Sequence, residues 1–147
     1  MKRIIIFCAL ATVVIACNKD KFKTEPQVEI VSLSPDEVRK GQLITFKAIV
    51  RDKEGDTKDS VFIVRKVWTA AIPKVDTLRY TLKEFGFPYK SEIELNAIFS
   101  YGELRDGFIF QNLESSDKEF SVGVIVKDTS GHKSPYVESD KIILKML

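Results

Sequence analysis

The chain has 147 residues, 44% of them hydrophobic and 30% charged, with 23 basic residues against 21 acidic ones for a formal net charge of +2. This length suits one domain with its own core, and the composition is too apolar for a disordered chain and too polar for a multi-span membrane protein. So small a charge, with no basic face in the sequence, also argues against a nonspecific nucleic-acid partner.

Residues 1–16 have the organisation of an export signal. Met1-Lys2-Arg3 is a basic start, and Ile4 to Ala16 is a run of apolar and small residues in which Thr12 is the sole polar member. That run is too short to cross a bilayer, which takes ~20 residues. It ends Val14-Ile15-Ala16-Cys17, which resembles the lipobox of bacterial lipoproteins. The resemblance implies cleavage between Ala16 and Cys17, a diacylglyceryl group on the Cys17 thiol, and a further acyl chain such as palmitate on the freed amine. The lipid bilayer is then a partner through acylated Cys17. Cys8 leaves with the signal, so Cys17 is the single cysteine of the mature chain and no disulfide forms within it. Loss of Lys2 and Arg3 takes the basic count from 23 to 21, equal to the acidic count of 21, so the mature chain is formally neutral.

Residues 17–26 read as the lipidated cysteine and a polar tether, which reaches about 30 Å when extended at ~3.3 Å per residue. Asn18 is not the aspartate that retains lipoproteins at the inner membrane in the best-known sorting rule, which implies delivery to the outer membrane, facing the periplasm or the cell surface. Lys19-Asp20 loosely resembles the charged surface-export signals of Bacteroidota-type lipoproteins.

Residues 27–147 read as one domain of short strands with period-2 alternation, separated by turn residues. The first begins at Val28 and is closed by Ser34-Pro35-Asp36. In the second, Ile44, Phe46, Ala48 and Val50 share a face. The third, Val61 to Trp68, is apolar on both faces and suits a central position. Leu78, Tyr80 and Leu82 mark the fourth, and Ile93, Leu95, Ala97 and Phe99 the fifth. Phe120, Val122, Val124 and Val126 line the sixth, and Val137 to Leu144 make the seventh. Asp106-Gly107 is a hairpin signal that could add an eighth. Helical periodicity with caps is missing; the best candidate, Asn112 to Lys118, is short and polar. Seven strands at this spacing predict an all-β fold, an antiparallel β-sandwich, with a barrel as the alternative.

Gly41 to Asp56 resembles the second strand and following loop of bacterial immunoglobulin-like, cadherin-like and PKD-like modules, and Phe120 to Ser134 resembles their final hairpin, turning through Asp128-Thr129-Ser130-Gly131. The resemblance implies an immunoglobulin-like sandwich. The antibody cysteine pair is missing, and Phe120 stands where many relatives carry tyrosine, so no tyrosine corner forms through it.

The candidate chemistry is sparse. His132 is the only histidine and sits in a turn, without the partners that a triad or a zinc site needs. Glu92 and Glu94 share a strand face as glycosidase carboxylates could, yet such pairs are ordinary on a solvated sheet. Asp52, Glu54, Asp56 and Asp59 crowd one loop around Gly55 and are the residues a calcium ion would use, opposed by Lys53 and Lys58; a charged, solvated loop is the expectation. Phe85-Gly86-Phe87-Pro88-Tyr89 offers aromatic faces to a sugar, although Phe87 and Tyr89 share parity with Ile93 and so extend a core face. Trp68 is expected in the core, as sandwiches often bury a strand tryptophan.

The expected role is therefore a membrane-anchored, non-catalytic module without cofactor that binds a protein partner or serves an envelope assembly. Glycan binding through Phe85, Phe87 and Tyr89 is the second expectation, and an enzyme the third.

Overall fold

The structure is a computed structural model and describes residues 24–57, 59–68, 71–82, 90–102, 108–110 and 116–146. The export signal, Ala16, Cys17 and the Phe85, Phe87 and Tyr89 segment lie outside the described residues, as do Lys58 and Asp106-Gly107.

Among the described residues there are ten strands: β1 (Gln27–Ser34), β2 (Glu37–Val38), β3 (Leu43–Arg51), β4 (Ser60–Trp68), β5 (Pro73–Thr81), β6 (Glu92–Tyr101), β7 (Phe108–Phe110), β8 (Lys118–Lys127), β9 (Val137–Glu138) and β10 (Ile142–Leu144). They form two open sheets. The first has the order β1-β3-β6-β7 and the second β2-β10-β8-β4-β5, with β9 also on β8. The result is a β-sandwich rather than a barrel. Most pairings are antiparallel, but β7 runs parallel to β6 and β2 parallel to β10. As the apolar run on both its faces suggested, β4 is central, between β5 and β8.

The core is made where the alternating faces of the two sheets meet. On β3, Ile44, Phe46, Ala48 and Val50 are each no more than 1% exposed, and on β8 Phe120, Val122, Val124 and Val126 are fully buried. Phe99 of β6 meets Phe120 edge-on, with ring centroids 6.2 Å apart, so the two sheets are joined by a favourable aromatic contact. Burying each such side chain contributes roughly 1.5–3 kcal/mol.

Two irregularities keep this pattern in phase. In β1 the register against β3 slips by one residue between Ile30 and Ser32, so Val28, Ile30 and Leu33 all pack on the core while Val31 is left outside, 53% exposed. The expected seventh strand is likewise interrupted. Gly123 pairs with Glu138 and Phe120 with Ile142, which puts one extra residue into the stretch from Ser139 to Lys141. Uninterrupted alternation from Glu138 would turn Ile142 and Leu144 outward; the extra residue turns them in, where they are 2% and 1% exposed. Ser139 ties the break to β8, its N–H donating to the Val122 carbonyl and its hydroxyl accepting from the Val122 N–H.

Trp68 corrects the sequence expectation. With Val61 and Ile63 in the core, alternation along β4 sends Phe62, Val64, Lys66 and Trp68 to the outer face of the second sheet, and Trp68 is half-buried there. It is not part of the core.

Candidate functional site

At one end of the sandwich the β3–β4 loop meets the turn after β8. Asp52 closes β3, Asp56 follows Gly55, and Asp128 follows β8; one carboxylate oxygen from each lies within 4.8 Å of the others. Gly55 has φ +66°, and a side chain there would press on the backbone of Lys90 and Ser91, so glycine lets the loop fold against the start of β6. Of the expected calcium group, Asp52 and Asp56 come together and are joined by Asp128. Glu54 and Asp59 do not join them: Glu54 is exposed, and Asp59 pairs with Lys127 at 2.9 Å.

The three carboxylates are already engaged. Asp52 accepts from the Thr57 hydroxyl at 2.8 Å and from the Glu54 N–H at 3.2 Å. Asp56 accepts through Oδ2 from Thr129 at 2.6 Å and from Ser130 at 2.9 Å, while its Oδ1 is buried without a partner. Asp128 accepts from the His132 N–H at 2.8 Å and holds the imidazole Nδ1 at 2.9 Å. The bonds of Asp56 to Thr129 and Ser130 clasp two loops that are far apart in the chain. Burial, opposed by the Thr57 hydroxyl and reinforced by the neighbouring Asp56 carboxylate, pushes the Asp52 carboxyl above the usual aspartate range. Asp56 is held below it, chiefly by the Thr129 hydroxyl. The bond to Asp128 raises the His132 imidazole, which stays solvated as a turn residue should.

A pH test follows from Asp52. Its folded-state pKa is raised, so the folded chain holds that proton to higher pH than the unfolded chain, and the associated stability is lost as pH rises from the ordinary aspartate value through the folded one. Asp52→Asn removes that loss. The melting temperature of the variant relative to the parent should therefore be higher at pH 7 than at pH 4, and EDTA should leave both unchanged. An equal deficit at both pH values would overturn the raised Asp52 pKa, and an EDTA-sensitive melt would show that the cluster holds a metal ion.

The outer face of the second sheet is a second candidate, and the sequence reading missed it. Glu138 stands at its centre: its carboxylate accepts from the Ser121 hydroxyl at 2.6 Å and from the Tyr136 hydroxyl at 2.8 Å, and pairs with the Lys66 ammonium. Burial pushes the Glu138 carboxyl up, but the bonds from Lys66, Ser121 and Tyr136 outweigh it and leave it below the ordinary value. The Trp68 indole N–H donates to Ser121 at 3.3 Å, and the Lys141 ammonium sits 3.9 Å from the Trp68 ring centre. The phenol end of Tyr136 lies across Gly123, where an added Cβ would be 2.3 Å from the ring. Glycine is the one residue that leaves room for it. The signal in the sequence was the alternation of β4 itself, which separates Trp68 from the core residues Val61 and Ile63 by parity.

Between the sheets, a cavity of about 290 Å³ opens between β5 and β6, lined by Phe46, Val61, Ile63, Leu82, Leu95 and Ala97 among others. Its lining is nearly all apolar, and Leu95 and Ala97 stay half-exposed because they border its opening. Glu92 and Glu94 lie on the solvent side of the first sheet, bonded to Arg51 and Asn96.

No family model and no curated protein matches the chain. Among solved structures, the sporulation control protein Spo0M from Bacillus subtilis is 12% identical with a TM-score of 0.46, over 84% of this chain and 50% of that one. The alkylpurine DNA glycosylase AlkC from Pseudomonas fluorescens is 8% identical with a TM-score of 0.44, over 84% and 31%. A CARDB domain from Pyrococcus furiosus, in complex with di-metal ions, is 14% identical with a TM-score of 0.34, over 86% and 91%. The chain thus spans half or less of the first two. At these scores the likenesses assign no function or ligand to it.

Proposed function

We propose that this chain is a lipid-anchored lipoprotein of the outer membrane whose immunoglobulin-like sandwich is a non-catalytic module for a protein partner or an envelope assembly. The anchor is read from Val14-Ile15-Ala16-Cys17 and the outer-membrane placement from Asn18. The observation that supports a protein partner is strand β5. It is nine residues long and, among the described residues, pairs with β4 alone, so its far edge offers backbone donors and acceptors. Apolar residues mark that border, with Ile72 82% and Val75 57% exposed.

The test is a photo-crosslinking amino acid placed at Ile72 or Val75 in cells carrying the full chain. A discrete protein adduct from these positions, and none from Glu94 on the opposite sheet, is the expected result. Equal labelling from all three positions, or none, would remove β5 as a docking edge.

A further inference from the structure

We propose that the outer face of the second sheet, from Trp68 across Lys66 and Glu138 to Tyr136, binds a neutral oligosaccharide. This goes beyond the protein-partner reading, uses a different surface from the Phe85 to Tyr89 segment, and depends on neither.

A sugar ring presents an apolar C–H face and a rim of hydroxyls that both donate and accept. A site for it needs flat aromatic surface, fixed polar groups of both kinds nearby, and little net charge. The outer face supplies all three. Trp68 and Tyr136 lie on the solvent side of the same sheet, Tyr136 being 41% exposed, with the opening of its ring fixed by Gly123 below. In the strand register Trp68 stands opposite Glu119, and Val64 opposite Gly123. The strand positions under Trp68 and under the Tyr136 ring are therefore about four residues apart, ~13 Å along the strand, and Ser121 and Glu138 bridge the indole N–H to the Tyr136 hydroxyl between them. The polar centre there is Lys66 with Glu138, a donor and an acceptor held in place by Ser121 and the Tyr136 hydroxyl. Both are only partly exposed, with 20% and 24% of their side chains open to solvent.

Between Trp68 and Tyr136 the charges are paired: Lys66 with Glu138 and Lys141 with Glu119 at 2.6 Å. Lys127 pairs with Asp59, and Arg79 lies farther out, over the Phe62 ring. The stretch between the two aromatics therefore has little field to attract an acidic or basic ligand, and a neutral polyhydroxylated one fits it best. In the free protein Lys66 stands 4.8 Å from the Tyr136 ring centre, and Lys141 covers Trp68. It is a flexible and 41% exposed side chain, so a sugar can displace it and take up its ring contact.

The experiment is native affinity electrophoresis of the mature domain in gels containing laminarin, mannan, xyloglucan or galactan, with polygalacturonate as the acidic control. Trp68 is the only tryptophan, so its emission reports on the site directly. Retardation in at least one neutral gel is expected, with a change in Trp68 emission on titration with the same glycan. Tyr136→Ala and Trp68→Ala should each weaken retention about tenfold or more, while Ile98→Ala leaves it unchanged. Tyr136→Ala, at an exposed position, is expected to melt with the parent and carries the test should Trp68→Ala misfold. The proposal is overturned if no neutral gel retards the protein, if only polygalacturonate does, or if retention survives Tyr136→Ala. Self-association of the parent that is lost in Tyr136→Ala, without retardation, would assign the face to a second copy of the chain instead.

Discussion

Cys17→Ser protein is expected in the soluble fraction, unlabelled by radioactive palmitate and still carrying its export signal. The reason is the chemistry of the anchor. Serine has no thiol to take the diacylglyceryl group, and without that group the lipoprotein peptidase has no substrate. Each buried methylene of an acyl chain contributes ~0.8 kcal/mol, and one chain alone holds a protein only marginally, so stable attachment requires the diacyl group and its neighbour together. Loss of the thiol removes both at once. No helix among the described residues is long and apolar enough to cross a membrane. A Cys17→Ser chain that stays in the membrane pellet and incorporates label would refute the lipoprotein assignment, and with it the expected localisation. The binding face on the second sheet would be untouched by that outcome.

The largest effect on stability is expected from Phe120→Ala, a loss of about 3–5 kcal/mol. Phe120 is fully buried on β8 and meets the edge of Phe99 across the sandwich. Its removal opens a cavity where the two sheets are held apart by neighbouring aromatics, and β-strands locked in a ladder relax poorly into such a space. Equilibrium denaturation in urea would measure it, with an unchanged slope and a lowered midpoint. Phe62→Ala is the matched comparison. Phe62 lies on the outer face, half-buried under the Arg79 guanidinium, and its loss should cost much less. Equal costs at the two positions would mean that Phe120 does not hold the sheets together.

The residues that carry the fold were legible wherever one strand could be read alone. Alternation in β3, β6 and β8 places Phe46, Phe99 and Phe120 correctly because period 2 is a property of the strand itself. At Trp68 the same parity points outward, and the expectation of a core tryptophan failed because it rested on residue type instead. The acidic loop was half legible. Asp52 and Asp56 are four residues apart and could be seen to cluster, but Asp128 is brought to them by strand pairing over a long sequence separation. Asp59 was near in sequence and went to Lys127 instead.

By itself the sequence determined most of the strand segments and the apolar face of β3, β6 and β8, because alternation is a property of each strand alone. Only the tertiary structure decided the phase between segments. A single extra residue at Val31, and another between Ser139 and Lys141, reverses every side chain beyond it, and nothing local marks that reversal. It is selected because the alternative would expose Leu33, Ile142 and Leu144. The outer face joining Trp68, Ser121, Tyr136 and Glu138 is decided in the same way: its members come from β4, β8 and the stretch around β9, and only the register between strands makes them neighbours.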